Sequence, residues 1–273
     1  MESSARQRQA AGWVSHSWVP AIIFVAACYA VTWLAWAGFH SAAATGKMWA
    51  FWAFLLVTVW SPTFIALAIT MLFGGIWGVQ TLLRRLFRVP SSALSWYIAG
   101  IVLPSASVLV ATVLARALHQ GAPLTAMEAL LPTIAIQLGT GALGEELGWR
   151  GFLLPLLQRR ASPVTSALIM SVLWSLWHSP SFFFPGLPQV FISPLAFLAM
   201  VAAFGVFLSL IFNKTRGRVF GTILAHFALN TSLALGGARF GNVLWWSLAG
   251  TFSLLASWSG FMLSRTSGPA AED

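Results

Sequence analysis

The chain has 273 residues, of which 58% are apolar and only 8% are charged. Soluble domains carry roughly 25% charged residues, so this composition excludes a water-soluble enzyme and a disordered protein and indicates a membrane-embedded chain. The single cysteine, Cys28, excludes an intramolecular disulfide and a cysteine-rich metal site. The net charge of +9 comes from Lys and Arg in short breaks between apolar runs, a pattern that indicates membrane topology and no nucleic-acid partner.

Eight apolar runs follow one another along the chain, and a helix needs about 20 apolar residues to cross a bilayer. They cover residues 18–39, 48–73, 97–118, 130–157, 163–182, 194–212, 219–235 and 243–263. Pro62 predicts a kink in the second run. The first run is too long for the apolar part of a signal peptide, so we expect it to be retained. The sequence predicts an all-α, polytopic membrane protein of about eight transmembrane helices, forming a single integral membrane domain over residues 1–273.

The basic residues predict the orientation of these helices. With eight spans, twelve Lys and Arg fall on the side of the N-terminus and three on the other side. The first group is Arg6, Arg8, Arg84, Arg85, Arg88, Arg150, Arg159, Arg160, Lys214, Arg216, Arg218 and Arg265; the second is Lys47, Arg116 and Arg239. Since cytoplasmic loops carry the excess of positive charge, both termini are predicted to be cytoplasmic. We expect a multi-pass protein of a bacterial plasma membrane.

Two adjacent acids interrupt the fourth apolar run. Glu145 and Glu146 each cost about 2.5–3.5 kcal/mol at the bilayer centre, so such residues usually face a protein interior or a wet cavity. Arg150 is four residues after Glu146 and can pair with it on one helix face, a purely structural alternative that leaves Glu145 without a charged partner. The other acids lie at the chain ends or in a predicted outer loop: Glu2, Glu128, Glu272 and Asp273. Four glycines near the pair are small enough to let helices approach closely: Gly139, Gly141, Gly144 and Gly148.

Three further polar residues are predicted at membrane depth. Glu145 precedes the basic turn 159–162 by about 14 residues and His178 follows it by about 16, so at ~1.5 Å per residue both lie ~20–25 Å from that turn. His226 and Asn230 are four apart and share one face of the seventh run. A histidine that only bonds a carbonyl, and a polar pair that only joins helices, are the structural alternatives. Together, the buried Glu, His, His and Asn predict one functional site.

Several kinds of intramembrane protease are excluded by what the sequence lacks. The only aspartate is Asp273, so an aspartyl pair is impossible. No histidine is followed directly by glutamate, which excludes a His-Glu-x-x-His zinc helix, and no Gly-x-Ser-Gly turn of the rhomboid type occurs. Activation of water by glutamate and histidine is the chemistry that remains.

Three motifs, in order and on separate runs, carry a family resemblance. Glu145-Glu146-x-x-x-Arg150, Trp174-x-x-x-His178 and His226-x-x-x-Asn230 resemble the signature of the CPBP (or Abi) intramembrane proteases. That family includes the CAAX prenyl endopeptidases and the bacteriocin-immunity and lysostaphin-resistance proteins. The resemblance covers about residues 130–235, a CPBP-like catalytic core. Trp174 stands where many members carry Phe, a substitution that we expect to be conservative.

The resemblance implies an eight-helix fold with a conical cavity and cleavage of peptide bonds near the membrane face. Glu145 would be the general base for the attacking water and His178 would assist it. His226 and Asn230 would stabilise the oxyanion or orient the substrate carbonyl. The supporting residues would be Glu146, Arg150 and Trp174.

A metal cofactor is an open alternative. Glu145, His178 and His226 can supply the His₂Glu ligands of a catalytic zinc or another divalent metal, with water as the fourth ligand. The same residues also work without a metal, which is the interpretation that we prefer.

The sequence therefore predicts an intramembrane endopeptidase whose partners are the lipid bilayer and a membrane-associated peptide or protein substrate. A non-catalytic immunity or scaffold protein of the same family is one alternative. A small proton-coupled transporter, in which the buried Glu and His relay protons, is another.

Overall fold

The computed structural model describes residues 18–87, 91–118, 130–183, 188–236 and 241–266. These residues form eight helices and no strand, which confirms the predicted all-α fold. The helices are α1 (Val19–Ala44), α2 (Met48–Phe87), α3 (Leu94–Ala117), α4 (130–158), α5 (Pro163–Trp177), α6 (Pro194–Lys214), α7 (Val219–Leu235) and α8 (Asn242–Ser264). Several charged residues that the sequence analysis named lie outside the described residues, as do both termini: Glu2, Arg6, Arg8, Arg88, Glu128, Arg239, Glu272 and Asp273.

Four segments are long and apolar enough to cross a membrane: Val19–Gly38, Met48–Leu86, Leu94–Ala117 and Pro194–Lys214. Of the remaining helices, α5 has only 15 residues and α7 has 17. The regular structure of α4 is interrupted by π-helical turns. The chain is an integral, multi-pass membrane protein.

Helix α2 is longer than its predicted apolar run and is broken at a different residue. It extends over 40 residues to Phe87, and its one non-helical residue is Gly75, with φ 60° and ψ −163°. The predicted kink was at Pro62, whose backbone stays helical. Glycine has no Cβ to clash at positive φ, so it can break the helix where other residues cannot.

Helix α4 alternates between two kinds of helical turn. π-helical turns cover Leu138–Ala142 and Leu147–Leu153, and between them lies one α-helical turn, Leu143–Glu146, which carries both glutamates. π turns are rare and occur frequently at functional sites. Hydropathy alone predicted a helix here and could not reveal these turns.

Glycines bring α4 directly against α2. A Cβ on Gly144 would lie 2.7 Å from the carbonyl oxygen of Val59, and one on Gly148 would overlap the carbonyl oxygen of Pro62. A Cβ on Gly141 would lie 2.7 Å from Asn230 Nδ2 of α7, whereas one on Gly139 would meet nothing within 4 Å. Close helix approach is thus observed at three of the four predicted glycines.

One end of the helix bundle carries most of the described basic residues, and we call it the basic end. Its residues are Arg84, Arg85, Arg159, Arg160, Lys214, Arg216, Arg218 and Arg265. Three of these basic residues contact a residue of another part of the bundle. Arg160 of the α4–α5 turn lies 4.9 Å from the ring of Trp18, Lys214 lies 5.6 Å from the ring of Trp96, and Arg85 donates to the carbonyl of Gly151.

Arg150 does not belong to this group, although the topology prediction counted it there. Its side chain is fully buried and pairs with Glu146. The positive-inside rule concerns charges in loops and near helix ends, so Arg150 carries no information on topology.

The contact of α4 with α2 can be tested by Gly148→Ala. Because the added methyl group would meet backbone of α2, we expect a loss of about 1–3 kcal/mol and a clearly lower Tm in detergent, measured by tryptophan fluorescence. The control is Gly250→Ala in α8, where a Cβ meets nothing within 4 Å and helix propensity favours alanine. Equal Tm values for the two variants would contradict this packing.

Candidate active site

Glu146 is the most deeply buried acid of the described residues and bonds two partners. Its Oε1 accepts hydrogen bonds from Arg150 Nη1 at 2.8 Å and from His226 Nδ1 at 2.9 Å. Glu146 and Arg150 are fully buried and His226 is 4% exposed. A buried charge is strongly destabilising unless it is paired, so this cluster ties α4 to α7. The pair with Arg150 matches the predicted spacing, and the bond to His226 was not foreseen.

Glu145 points to a different helix and is held by Trp174 of α5. Trp174 Nε1 donates to Glu145 Oε2 at 2.8 Å, and both side chains are buried. The Arg150 guanidinium lies over the Trp174 ring, with its central carbon 3.9 Å from the ring centroid, which is a cation–π contact. Trp174 therefore contacts both residues, through its N–H and through its ring face. A phenylalanine would keep only the ring face, so the expectation that this substitution is conservative is wrong.

His178 caps the end of α5 and is oriented by backbone. Its Nδ1 lies 2.8 Å from the carbonyl oxygen of Trp174, which can only accept, so Nδ1 carries the proton and Nε2 of the neutral ring is an acceptor. The ring is half-buried and packs 4.9 Å from Trp177 and 5.7 Å from Phe197, measured between ring centroids. His178 thus has a fixed ring and one nitrogen available for chemistry.

Trp177 connects this histidine to a chain of hydroxyl groups. Its Nε1 donates to Thr32 Oγ1 at 2.9 Å, and Thr32 lies 2.8 Å from Ser61 Oγ. All three side chains are buried, and they join α1, α2 and α5 behind His178. Nothing in the sequence singles these residues out. A Thr, a Ser and a Trp in apolar runs are common, and no local spacing signals a contact between residues 145 positions apart.

His226 and Asn230 lie on one face of α7, opposite Gly141. A Cβ on Gly141 would be 2.7 Å from Asn230 Nδ2 and 3.9 Å from His226 Nε2. The bond to Glu146 places a proton on His226 Nδ1, so Nε2 donates only when the ring is doubly protonated. The missing side chain of Gly141 leaves room beside both polar groups.

Trp174 is the centre around which the predicted residues lie. Its ring centroid is 5.5 Å from that of His178 and 5.4 Å from that of His226, and it bonds Glu145 directly. The structure thus brings together residues from α4, α5 and α7. Glu145 of α4 meets α5 at Trp174, one turn before His178, and the predicted meeting of Glu145 with His178 itself stays a prediction.

The described residues form no ready-made metal centre. Among the described residues, no three His, Cys, Asp or Glu side chains lie together as a metal-binding group. The candidate ligands Glu145, His178 and His226 each bond Trp174 or Glu146 through one polar atom and keep a second one. Such bonds also orient metal ligands, so the spacing of the three residues is the observation against a metal. We therefore assign no step of the chemistry to a metal.

Comparison with known proteins places part of the chain in a family. The family model for type II CAAX prenyl endopeptidase Rce1-like proteins matches residues 126–232. CAAX prenyl protease 2 of Methanococcus maripaludis is 31% identical over 97 residues, which are 33% of this chain and 36% of that protein. Residues 126–232 belong to the CPBP family. This confirms the resemblance inferred from the three motifs, and the matched residues include every site residue that the sequence predicted. The match spans about a third of the curated relative's length.

The hydrogen bond from Trp174 to Glu145 can be tested by Trp174→Phe. Losing a donor to a buried carboxylate should cost about 1.5–3 kcal/mol and lower the Tm in detergent. The matched control is Trp245→Phe, because Trp245 Nε1 is buried without a hydrogen-bond partner among the described residues. If both variants unfold at the same temperature, the indole N–H of Trp174 makes no such bond.

The two glutamates should respond differently to the same substitution. Glu146→Gln leaves Arg150 buried without its partner charge, so we expect about 3–5 kcal/mol of destabilisation and little monodisperse protein. Glu145→Gln keeps an oxygen that accepts from Trp174, so the protein should fold. Size-exclusion profiles and Tm values of the two variants test this difference, and equal stability of the two would refute it.

Proposed function

We propose that the protein is an intramembrane endopeptidase, with its catalytic core over residues 130–235, that hydrolyses a peptide bond of a membrane-associated peptide or protein. The observation that carries this proposal is the meeting of Glu145, His178 and His226 around Trp174, with Asn230 on the same face of α7 as His226. The names of the matching family and of the relative, an endopeptidase and a protease, support the same reaction. A bacterial plasma membrane stays the predicted location.

Glu145 is the general base of the proposed reaction. Because Trp174 occupies Oε2, Oε1 is the oxygen available to a water molecule. His178 Nε2, an acceptor in the neutral ring, accepts a hydrogen bond from the second hydrogen of the same water and so orients the water. Glu145 then removes a proton while the water oxygen attacks the carbonyl carbon of the substrate. General base catalysis of this kind contributes typically about 10²–10⁴-fold.

The attack converts the carbonyl oxygen into an oxyanion that needs hydrogen-bond donors. Asn230 Nδ2 is a donor on α7, and His226 Nε2 lies with it beside the space left by Gly141. In a water-excluded site one such donor is worth about 2.7–4 kcal/mol. The intermediate then breaks at the C–N bond, and the proton held by Glu145 passes to the leaving amine. The products are a new carboxylic acid and a new amine, and transfer of a proton between them gives the carboxylate and the ammonium ion.

Glu146 and Arg150 do not contact the reacting atoms in this mechanism. They are positioning residues, because Glu146 holds the ring of His226 and Arg150 packs on Trp174. A general base must lie within hydrogen-bond reach of its water. The contacts of Glu146 and Arg150 therefore keep Glu145 and the hydrogen-bond donors directed at the same substrate carbonyl.

Glu145→Gln tests the proposed function directly. The variant keeps the shape of the side chain and loses the base, so we expect it to fold and to lose cleavage by about 10²-fold or more. The measurement compares new peptide termini in membranes that contain the wild type or the variant. Glu272→Gln, the same substitution near the C-terminus of the sequence, is the control and should cleave normally.

The other outcomes point to the alternatives. A scaffold protein would keep its biological effect when Glu145 is replaced, and no terminus would depend on Glu145. A proton relay would instead lose ion flux in liposomes. Unchanged cleavage by both Glu145→Gln and His178→Ala would refute the peptidase assignment.

A further inference from the structure

The hydrogen bonds behind His178 form a chain that runs in one direction. Ser61 Oγ donates to the carbonyl oxygen of Thr58 at 2.9 Å, which uses the only hydrogen of the Ser61 hydroxyl. In the contact of 2.8 Å between Thr32 Oγ1 and Ser61 Oγ, Thr32 is therefore the donor. Because Thr32 Oγ1 accepts from Trp177 Nε1 at 2.9 Å, the chain runs from the indole of α5 through α1 to the backbone of α2.

The chain ends on a carbonyl that a proline leaves without its usual donor. In an α-helix each carbonyl accepts from the N–H four residues later, and the residue four after Thr58 is Pro62, which has no N–H. The backbone of α2 stays helical at Pro62, so the hydroxyl of Ser61 takes the place of the missing donor. Pro62 thus provides an anchoring point for the chain where the sequence predicted a kink.

Burial makes these bonds hold the indole of Trp177 in one orientation. Thr32 is fully buried, and Trp177 and Ser61 are 3% and 4% exposed. An indole that turned its N–H away from Thr32 would leave a buried donor without this acceptor, which is unfavourable. The orientation of the Trp177 ring is therefore set by α1 and α2.

The ring of Trp177 in turn limits the movement of His178. The two ring centroids are 4.9 Å apart and the ring planes are at 85°, an edge-to-face contact. The bond from His178 Nδ1 to the carbonyl oxygen of Trp174 fixes one nitrogen, but a single hydrogen bond leaves the imidazole free to tilt. Trp177 and Phe197, whose centroid is 5.7 Å from that of His178, restrict this tilt. The direction of His178 Nε2 thus depends on the position of the Trp177 ring.

We infer that Thr32 is a positioning residue for His178: its hydroxyl fixes the ring of Trp177, and that ring directs His178 Nε2 toward the water molecule on Glu145. Thr32 and Ser61 do not touch the reacting atoms. Helices α1 and α2 contribute to the site in this way although they precede the residues that match the family model, 126–232. The part that His178 plays in hydrolysis rests on the proposed function, whereas the orientation of its ring by Thr32 does not.

A pair of substitutions at Thr32 tests the effect on cleavage. Thr32→Val removes the hydroxyl and keeps the shape, whereas Thr32→Ser keeps the hydroxyl. Small displacements of a reacting group are costly, so we expect Thr32→Val to lower kcat by about 10-fold or more with little change in KM. Thr32→Ser should restore kcat. The assay uses a peptide whose cleavage depends on Glu145.

The matched control is Thr70→Val in α2, because this buried hydroxyl has no hydrogen-bond partner among the described residues. Thr70→Val should cleave normally. Equal kcat values for Thr32→Val and Thr32→Ser, or an equal loss in Thr70→Val, would overturn the inference.

A double variant tests whether Thr32 acts through Trp177. Thr32→Val and Trp177→Phe remove the same hydrogen bond from its two sides, so their effects should not add. We expect the double variant to have the kcat of the slower single variant. Losses that multiply would show that the two side chains act separately and would overturn the inference. If Thr32→Val is poorly produced, Trp177→Phe is compared with Trp245→Phe instead.

Nuclear magnetic resonance of the ring nitrogens of His178 tests the positioning without turnover. The protein carries ¹⁵N-histidine in lipid nanodiscs, and the signals of His178 are those missing from His178→Ala. We expect one sharp signal of an unprotonated Nε2 in the wild type and in Thr32→Ser, and a shifted or broadened signal in Thr32→Val. An unchanged signal in Thr32→Val would overturn the inference even if cleavage falls. The result remains readable if Glu145→Gln shows that the protein is not a peptidase.

Discussion

The carboxylate of Glu146 cannot stay buried in the bundle without positive or donor partners, and it has two of them. Arg150 approaches it from one turn along α4 and His226 approaches it from α7. Arg150 in turn lies against the ring of Trp174, and the N–H of Trp174 holds Glu145. Each contact orients the next, so the position of the proposed base depends on a charge pair that does no chemistry.

The adjacency of the two glutamates explains how one helix serves both purposes. Neighbouring residues on a helix point about 100° apart, so Glu146 faces α7 while Glu145 faces α5. The π turns on either side of this short α-helical segment and the glycines against α2 bring the pair into the middle of the bundle. Side chains larger than hydrogen at Gly144 and Gly148 would push α4 away from α2.

Local patterns in the sequence predicted the parts of the structure that depend on short spacings. The apolar runs gave the number of helices, and the i, i+4 spacing gave the pair of Glu146 with Arg150. Counting from the basic turn predicted that Glu145 and His178 lie at the same depth; in the structure both contact Trp174, and neither bonds the other.

Local sequence patterns could not predict contacts between residues that are distant in sequence. The bond from His226 to Glu146 joins residues 80 positions apart, and the donor role of Trp174 depends on which way its ring turns. Arg150 was counted as a topology charge because a sequence does not show that a side chain is buried. The non-helical conformation of Gly75 and the π turns of α4 arise from packing, which hydropathy does not record.

A density map of the protein in a lipid nanodisc, at a resolution that shows ordered water, tests the central claim most directly. We expect a water molecule within hydrogen-bond distance of both the Glu145 carboxylate and His178 Nε2, with His226 and Asn230 facing the same pocket. A map in which Glu145 faces lipid, or in which packed side chains separate it from His178, would contradict the account.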